Sequence, residues 1–518
     1  MSLANLCLAI ASGRWPVAIT FILPLFSVAT IMVAVYRLYF HSLADFPGPK
    51  IAAMTGLYEL WYDVVKQGQY VHVIEQMHIQ YGPIVRINPN ELSVRDAQFF
   101  DKLHSDSTKK RTHIPSLFSR ILGLSGSMVF APSHEIHRGR RKAVEPFFSR
   151  HNIERIEPMI VEQALLLDKR LNEMKISKRV VRLEHAFFAF ASDVVGRVCC
   201  EIPSNFLQDK DFFPQWYSLF ERGARQILPA MHLPLISVIL KLIPQTVALK
   251  LYPLGATFTM YMTAVTSHII HAKNQDLSAA SVLANPRSSI FRYIVCEKTL
   301  PKAEQSVDRL SHEAATLLGA GALTLARSLS MTFYHILANP TIREKLAAEL
   351  AQPLADIHAH MPRRSELERL PYLRACVREG LRLSYLQLRA VPHCSPDVEF
   401  QYHQYTIPKA TPIRMSIYFM HTDLEIFPAP FEFLPERWLG KYNPQMDRQF
   451  VPFSKGSRNC VGFNLAWAEL YILTALLFRP EAPTMQLFNT DASDIRVRDH
   501  CFIPLPKSDS RGVRVTIE

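Results

Sequence analysis

The chain has 518 residues, of which 48% are apolar and 20% charged, so it can bury a large core and is neither a disulfide-stapled mini-protein nor disordered as a whole. Lys and Arg outnumber Asp and Glu by 58 to 46, a formal charge of +12; this suits an acidic partner or an anionic membrane surface, and ordinary solubility accounts for it equally well. No dense basic stripe with interleaved aromatics occurs, which excludes the usual nucleic-acid-binding pattern.

The first element is a run without charge from Trp15 to Tyr36, flanked by Arg14 and Arg37. A helix of ~20 apolar residues crosses a bilayer. Pro16 lies where a helix tolerates proline, Pro24 predicts a kink, and Trp15, Tyr36 and Tyr39 suit the interface. A cleaved signal peptide is the alternative, but the run is long for one and no clear small-residue cleavage site follows. Residues 1–41 are therefore expected to be a single-pass membrane anchor, with the catalytic body over 42–518. The charge bias is too weak to orient it. Asp45-Phe46-Pro47-Gly48-Pro49-Lys50 reads as a short strut, because two prolines around a glycine stop a helix.

In the body, Ile84–Ile87 and Leu92–Val94 flank Asn88-Pro89-Asn90-Glu91 and predict a hairpin. Residues 134–148, 152–174 and 182–200 read as helices. The stretch 211–272 is helical and apolar, broken by Pro229, Pro234, Pro244 and Pro253. The most informative helix runs from about Ser306 to Leu337, a span of ~48 Å. Ala314 to Ala326 carries no charge, and a helix apolar all round is buried. Gly319 and Gly321 inside it imply close approach to the backbone, by a ligand or by a packed helix. A further helix, Leu367 to Leu383, sets Glu379 and Arg382 on one face; alone, such a pair is most often a surface salt bridge. Strand-like pieces follow at 398–400, 405–407, 413–415 and 513–517, and a helix at 464–478. The fold class expected is mainly α (α+β).

The chemistry concentrates in Phe453-Ser454-Lys455-Gly456-Ser457-Arg458-Asn459-Cys460-Val461-Gly462. The eight cysteines are scattered without a C-x-x-C pair, so a structural zinc site is not expected and the thiols read as free. Cys460 stands just before a helix, where the dipole and free amides favour thiolate. Gly456 and Gly462 permit tight turns and close approach of a flat macrocycle. Arg458 can pair with an acidic group of a cofactor.

This stretch resembles the haem-thiolate loop of the cytochrome P450 family, and other segments agree in order and spacing. Glu379-Gly380-Leu381-Arg382 resembles the E-x-x-R motif, and Phe431 to Trp438, containing Pro435-Glu436-Arg437-Trp438, the P-E-R-F/W segment. The resemblance implies that Glu379, Arg382 and Arg437 form a buried brace of the haem core. Ala320-Gly321-Ala322-Leu323-Thr324 partly matches the oxygen-activation stretch. His134 to Arg141 looks like the early helix reaching the haem propionates, with His137 where many members have tryptophan. The segments 46–50, 80–92, 134–149 and 456–478 are similar to fungal members of the trichodiene oxygenase type, which implies tailoring of terpenoid or polyketide secondary metabolites.

The resemblance implies a cytochrome P450 fold, haem b as cofactor with Cys460 as axial ligand, and a site comprising Phe453, Gly456, Arg458, Gly462, His137, Arg141, His393, Ala320 and Gly321, with Thr324 catalytic. It implies a monooxygenase that hydroxylates or epoxidises an apolar small molecule with O₂. No flavin or nicotinamide fingerprint occurs, so electrons would come from NADPH–cytochrome P450 reductase, with the anchor in the endoplasmic reticulum membrane and the catalytic domain cytosolic. Two departures stand out. Leu323 and Leu325 flank Thr324 where an acid and a second hydroxyl are usual, and leucine cannot carry a proton. Ala390-Val391-Pro392-His393 replaces R-L-P-R, making His393 a weaker, pH-dependent propionate partner, with Arg389 one residue out of register. Leu323 keeps open a haem-thiolate isomerase or dehydratase that needs no external electrons. A non-catalytic haem-binding protein is the third reading. Substrate contacts are expected within 110–130, 211–255, 314–325 and 384–392.

Overall fold

A computed structural model describes residues 15–105, 123–177, 179–200, 204–233, 253–274, 289–386, 391–500 and 503–518. The anticipated substrate segments lie partly outside the described residues, and Arg389 lies outside them altogether.

The body is mainly helical. Helix α1 (Trp15–Tyr39) runs through Pro24, and its described side chains from Leu23 to Phe40 are largely exposed and apolar. Its last turn is tied down: Arg37 Nη1 donates to the Met54 carbonyl at 2.7 Å and Arg86 Nη1 to the Arg37 carbonyl at 2.8 Å. A short π-helix (Trp61–Val65) and helix α2 (Tyr70–Tyr81) follow. The hairpin forms from β1 (Ile84–Asn88) and β2 (Glu91–Val94), with Ile84 opposite Val94. The sequence 134–148 divides into helix α3 (His134–Val144) and a 3₁₀ turn, Glu145–Phe148, because Pro146 has no N–H to continue an α-helix. Helix α4 (Arg150–Ser177) and the two-residue strand β3 (Val181–Arg182) lead to helix α5 (Leu183–Cys199), buried along nearly its whole length.

Helix α6 (Pro214–His232) starts on a proline, yet Pro229 lies inside it and does not end it. Helix α7 (Pro253–Asn274) follows. The long central helix α8 (Val307–Ala338) is capped by Ser306, whose hydroxyl accepts from the Arg309 amide. Both of its glycines meet neighbouring side chains. A Cβ on Gly319 would lie 2.6 Å from Phe220 of α6, and one on Gly321 3.0 Å from Val195 of α5. Close helix packing therefore accounts for both.

The predicted helix from Leu367 begins instead at Pro371, as α9 (Pro371–Ser384), because proline prefers the first helical turn. It crosses α8 so closely that a Cβ on Gly380 would lie 1.8 Å from Thr332 Oγ1. The expected strands are β4 (Phe400–Tyr402) and β5 (Tyr405–Ile407), paired as a hairpin, and β6 (Ile413–Arg414), which runs parallel to β2. The last helix, α10 (Phe463–Phe478), is apolar and packs against α4 and α9. Strands β7 (Met485–Leu487), β8 (Asp499–His500), β9 (Pro504–Leu505) and β10 (Arg514–Ile517) finish the chain, with β10 between β3 and β7.

Candidate active site

The loop before α10 is shaped by backbone that side chains disfavour. Gly456 has φ +75°, and a Cβ there would sit 1.8 Å from the His104 carbonyl oxygen. A 3₁₀ turn at Gly456–Arg458 follows, and the Cys460 amide closes the loop on the Phe453 carbonyl at 2.9 Å. Arg141 of α3 holds it from the side, with Nη1 2.6 Å from the Asn459 carbonyl and Nη2 2.7 Å from Asn459 Oδ1.

Cys460 is accessible to solvent, yet burial is the largest influence on its thiol and raises its pKa; the Gly462 amide and the Arg141 charge pull the other way. Accessible area combined with heavy desolvation describes a thiol at the floor of an interior hollow. On α8, Ala320 is exposed and Gly321 and Thr324 are partly so, while Ala322, Leu323 and Leu325 are buried. Ala320 and Thr324, four apart, share one face. The Thr324 hydroxyl donates to the Ala320 carbonyl at 2.7 Å.

A third group is one cation, Arg458, with two histidines beside it. Arg458 Nη2 donates to the Ala131 carbonyl at 3.1 Å, while its Nε and Nη1 are buried without a partner. Burial pulls this guanidinium down to about 10. His137 is buried with Nδ1 unpartnered; burial, then the charges of Arg458 and Arg141, hold it down to about 3. His393 forms a backbone bridge with Ile413, and burial, then His104 and Arg458, push it well below the ordinary histidine value. A guanidinium left unpaired in this way is costly unless an anion joins it.

The brace is complete. Arg382 Nε and Nη2 meet the two Glu379 oxygens at 2.9 and 2.8 Å, and both residues are fully buried. Arg437 Nε reaches Glu379 Oε1 at 2.9 Å, and Trp438 Nε1 reaches Oε2 at 2.9 Å. Burial pushes the Glu379 carboxyl up, but the hydrogen bonds and charge of Arg382 outweigh it and the net pKa is lowered. The pair is thus not the surface salt bridge its spacing alone suggests.

A family model, Cytochrome P450, matches residues 47–480. The chain belongs to the cytochrome P450 family. Cytochrome P450 monooxygenase tndB of Aspergillus flavipes is 46% identical over 83% of this chain and 92% of its own length. Stellatic acid synthase of Emericella variicolor is 43% identical over 96% and 94%. Fusicoccadiene C-8 hydroxylase of Phomopsis amygdali is 41% identical over 95% and 94%. This P450 is accordingly a monooxygenase with haem-thiolate iron as its cofactor.

The residues present fit that group. A thiol faces a hollow, a glycine turn keeps the loop flat, and the unpartnered Arg458 nitrogens offer donors for carboxylates such as haem propionates. Arg141, expected among the cofactor contacts, bonds Asn459 and positions the loop. Two contributors escaped the sequence reading. Trp438 stands inside the recognised P-E-R-W segment, but its indole donor to Glu379 has no sequence signal. His421 is a lone histidine in an apolar run, and nothing in the spacing links it to Arg382 or Val451, which it joins.

Proposed function

We propose that this P450 hydroxylates or epoxidises an apolar secondary-metabolite intermediate of terpenoid or polyketide type, with Cys460 as the axial ligand of haem b. The observation that carries the reading is the Cys460 thiol at the floor of a hollow, beside a guanidinium, Arg458, that lacks an anion. Fusicoccadiene hydroxylation by one relative, a diene by its name, supports an apolar substrate. When bound, the haem supplies activation of O₂, and a thiolate ligand favours O–O cleavage.

The chain's own residues do the rest. Gly462 donates its amide to the Cys460 sulfur and tempers its basicity. Arg458, His137 and His393 receive the propionates. The open face of Ala320 and Thr324 forms the roof of the same hollow, where substrate lies, with Gly321 beside it packed on α5. The Thr324 hydroxyl donates its hydrogen bond to the Ala320 carbonyl, so its oxygen is free to accept from a water and hold it near the reacting atoms. No acidic residue follows Glu313 on α8, so protons reach Thr324 through water or a substrate hydroxyl.

Residues 1–41 act as the anchor of a 42–518 catalytic domain on the endoplasmic reticulum. The exposed apolar face of α1 supports this, and the Arg37 contacts hold the membrane end against the body. An NADPH–cytochrome P450 reductase supplies the electrons.

The test is a carbon monoxide difference spectrum of the membrane-expressed protein, reduced first with dithionite and then with reductase and NADPH. A red-shifted Soret band that Cys460→Ala abolishes is expected, followed by oxygenated products from apolar dienes. Retention of the band in the variant refutes the ligand assignment. Turnover that ignores the reductase would mark the isomerase or dehydratase suggested by Leu323.

A further inference from the structure

Just past α1 the chain turns its acids inward and its large apolar side chains outward. Ile51, Leu57, Trp61 and Val65 are 49–67% exposed, whereas Glu59 and Asp63 between them are buried. Leu57, Trp61 and Val65 stand four apart, on the helical turn Leu57–Leu60 and the π-helix that follows it, so they share one side. A helical turn facing water carries the opposite pattern, with its charged residues outward. Single exposed apolar side chains are ordinary, but a set gathered on one side marks a contact surface.

This surface continues from α1. Arg37 Nη1 bonds the Met54 carbonyl at 2.7 Å, which sets the helix Lys50–Met54 beside the last turn of α1. Tyr36, Tyr39 and Phe40 at that end of α1 are exposed as well. At the far edge, His232 of α6 bonds Asp63 at 2.9 Å, and Leu233, the next residue, is again exposed. Apolar side chains therefore reach from the end of α1, across the turns, to the end of α6.

Charge selects what covers it. The exposed charged side chains between residues 50 and 66 are Lys50 and Lys66, both cations. Lys66 Nζ lies 5.9 Å from the centre of the Trp61 ring. An indole flanked by lysines suits the headgroup layer of a bilayer, where amphipathic rings sit at the boundary and cations meet anionic phosphates. A second protein chain fits less well. Four side chains at this exposure present a few hundred Å², well under the ~800 Å² that each partner gives to a stable interface.

We propose that the face formed by Ile51, Leu57, Trp61 and Val65 lies in the interfacial layer of an anionic bilayer. The catalytic body then rests on the membrane in one orientation and does not swing freely on α1. The inference rests on the reading of α1 as the anchor, and it adds a second contact that does not span the bilayer.

The experiment uses the full-length, haem-loaded protein in vesicles of phosphatidylcholine and phosphatidylserine that contain a lipid with a photoactivatable acyl chain. Lipid adducts are mapped by peptide, and the linear dichroism of the Soret band in oriented bilayers reads the tilt of the body. Adducts within residues 51–65 as well as on α1 are expected, with a single haem tilt. Leu57→Glu and Trp61→Glu, both at exposed positions, should each at least halve the 51–65 adducts and lower the dichroism, with the haem spectrum and vesicle association retained. Leu424→Glu, at a leucine 68% exposed against 67% for Leu57, should change neither. Three outcomes overturn the proposal. Adducts on α1 with none in 51–65 remove the resting face and leave the anchor standing. No association with the vesicles removes both. Labelling of 51–65 that appears only when the protein is diluted in lipid would make this face a contact between copies of the chain.

Discussion

Arg382 and His421 exchange hydrogen bonds: Arg382 Nη1 donates to the His421 carbonyl at 2.9 Å, and His421 Nδ1 lies 3.1 Å from the Arg382 carbonyl. The carbonyl can only accept, so Nδ1 carries the proton. Nε2 is then free to accept the Val451 amide at 3.0 Å. One neutral tautomer therefore links the Glu379–Arg382 brace to the start of the thiolate loop.

Replacing His421 tests that link. His421→Ala strands the Val451 N–H and exposes the Arg382 carbonyl to loss of its donor. Each buried group left unsatisfied costs ~1–3 kcal/mol, so a loss of about 2–4 kcal/mol and a lower haem-to-protein ratio are expected. Thermal unfolding and haem content measure both, and a variant as stable as wild type would break the link. The pH dependence has a definite sign. Burial, then the Arg382 charge, hold His421 down to about 3, so the unfolded chain binds the extra proton first. The His421 contribution is complete above the ordinary histidine value near 6.5. It is lost progressively as pH falls from there toward about 3. His421→Ala should flatten that part of the stability profile.

Gly456→Ala addresses the loop turn. Its φ of +75° alone costs an alanine ~1–2 kcal/mol. The new Cβ would also meet the His104 carbonyl oxygen at 1.8 Å, so the helix Ala97–Ser105 that carries His104 or the loop must move. A total loss of about 3 kcal/mol or more is expected, with a broadened or shifted Soret band because Cys460 moves. Near-wild-type stability and spectrum would mean that the loop relaxes freely around this position.

Arg458→Leu separates cofactor binding from folding. The guanidinium is unpaired and desolvated, so removing it should stabilise the haem-free protein by about 1 kcal/mol or more. The same change should weaken haem retention about tenfold or more, since charge-assisted contacts to carboxylates are lost. Haem-free and haem-loaded unfolding curves, compared with haem content, report the two effects. Equal destabilisation of both forms would show that Arg458 serves the fold alone.

The contrast between these residues explains what could be read from the sequence. The spacing of Glu379 and Arg382 puts them on one helical face, but burial came from partners at Leu434, Arg437 and Trp438, more than fifty residues away. Local periodicity carries no record of such pairings, and the family resemblance supplied Arg437 but neither Trp438's role nor His421. The central helix was legible because an uncharged run of that length must be buried. Its glycines were not, since a ligand and a packed helix make the same demand on a backbone. Arg141 was legible as a helix residue, while its use on Asn459 depends on how α3 meets the loop. Pro229 was read as a breaker, but helix α6 continues through it.

Leu323→Glu tests whether the missing acid limits proton delivery. Leu323 is 3% exposed, whereas Thr324 beside it is partly open. A carboxyl placed there enters an apolar site and will be protonated over much of the neutral range, at a stability cost of about 2–4 kcal/mol. A protonated carboxyl is a donor, which leucine is not. If it reaches the water held by Thr324, product per NADPH rises and hydrogen peroxide per NADPH falls. Leu323→Gln supplies a comparable side chain without a transferable acid proton, so it should pay a similar stability cost and leave the ratio unchanged. The expected outcome is a lower peroxide share for the Glu variant only. An unchanged ratio in both, with haem content intact, would mean that protons already reach Thr324 by water or by a substrate hydroxyl, and that Leu323 is a packing residue of the central helix.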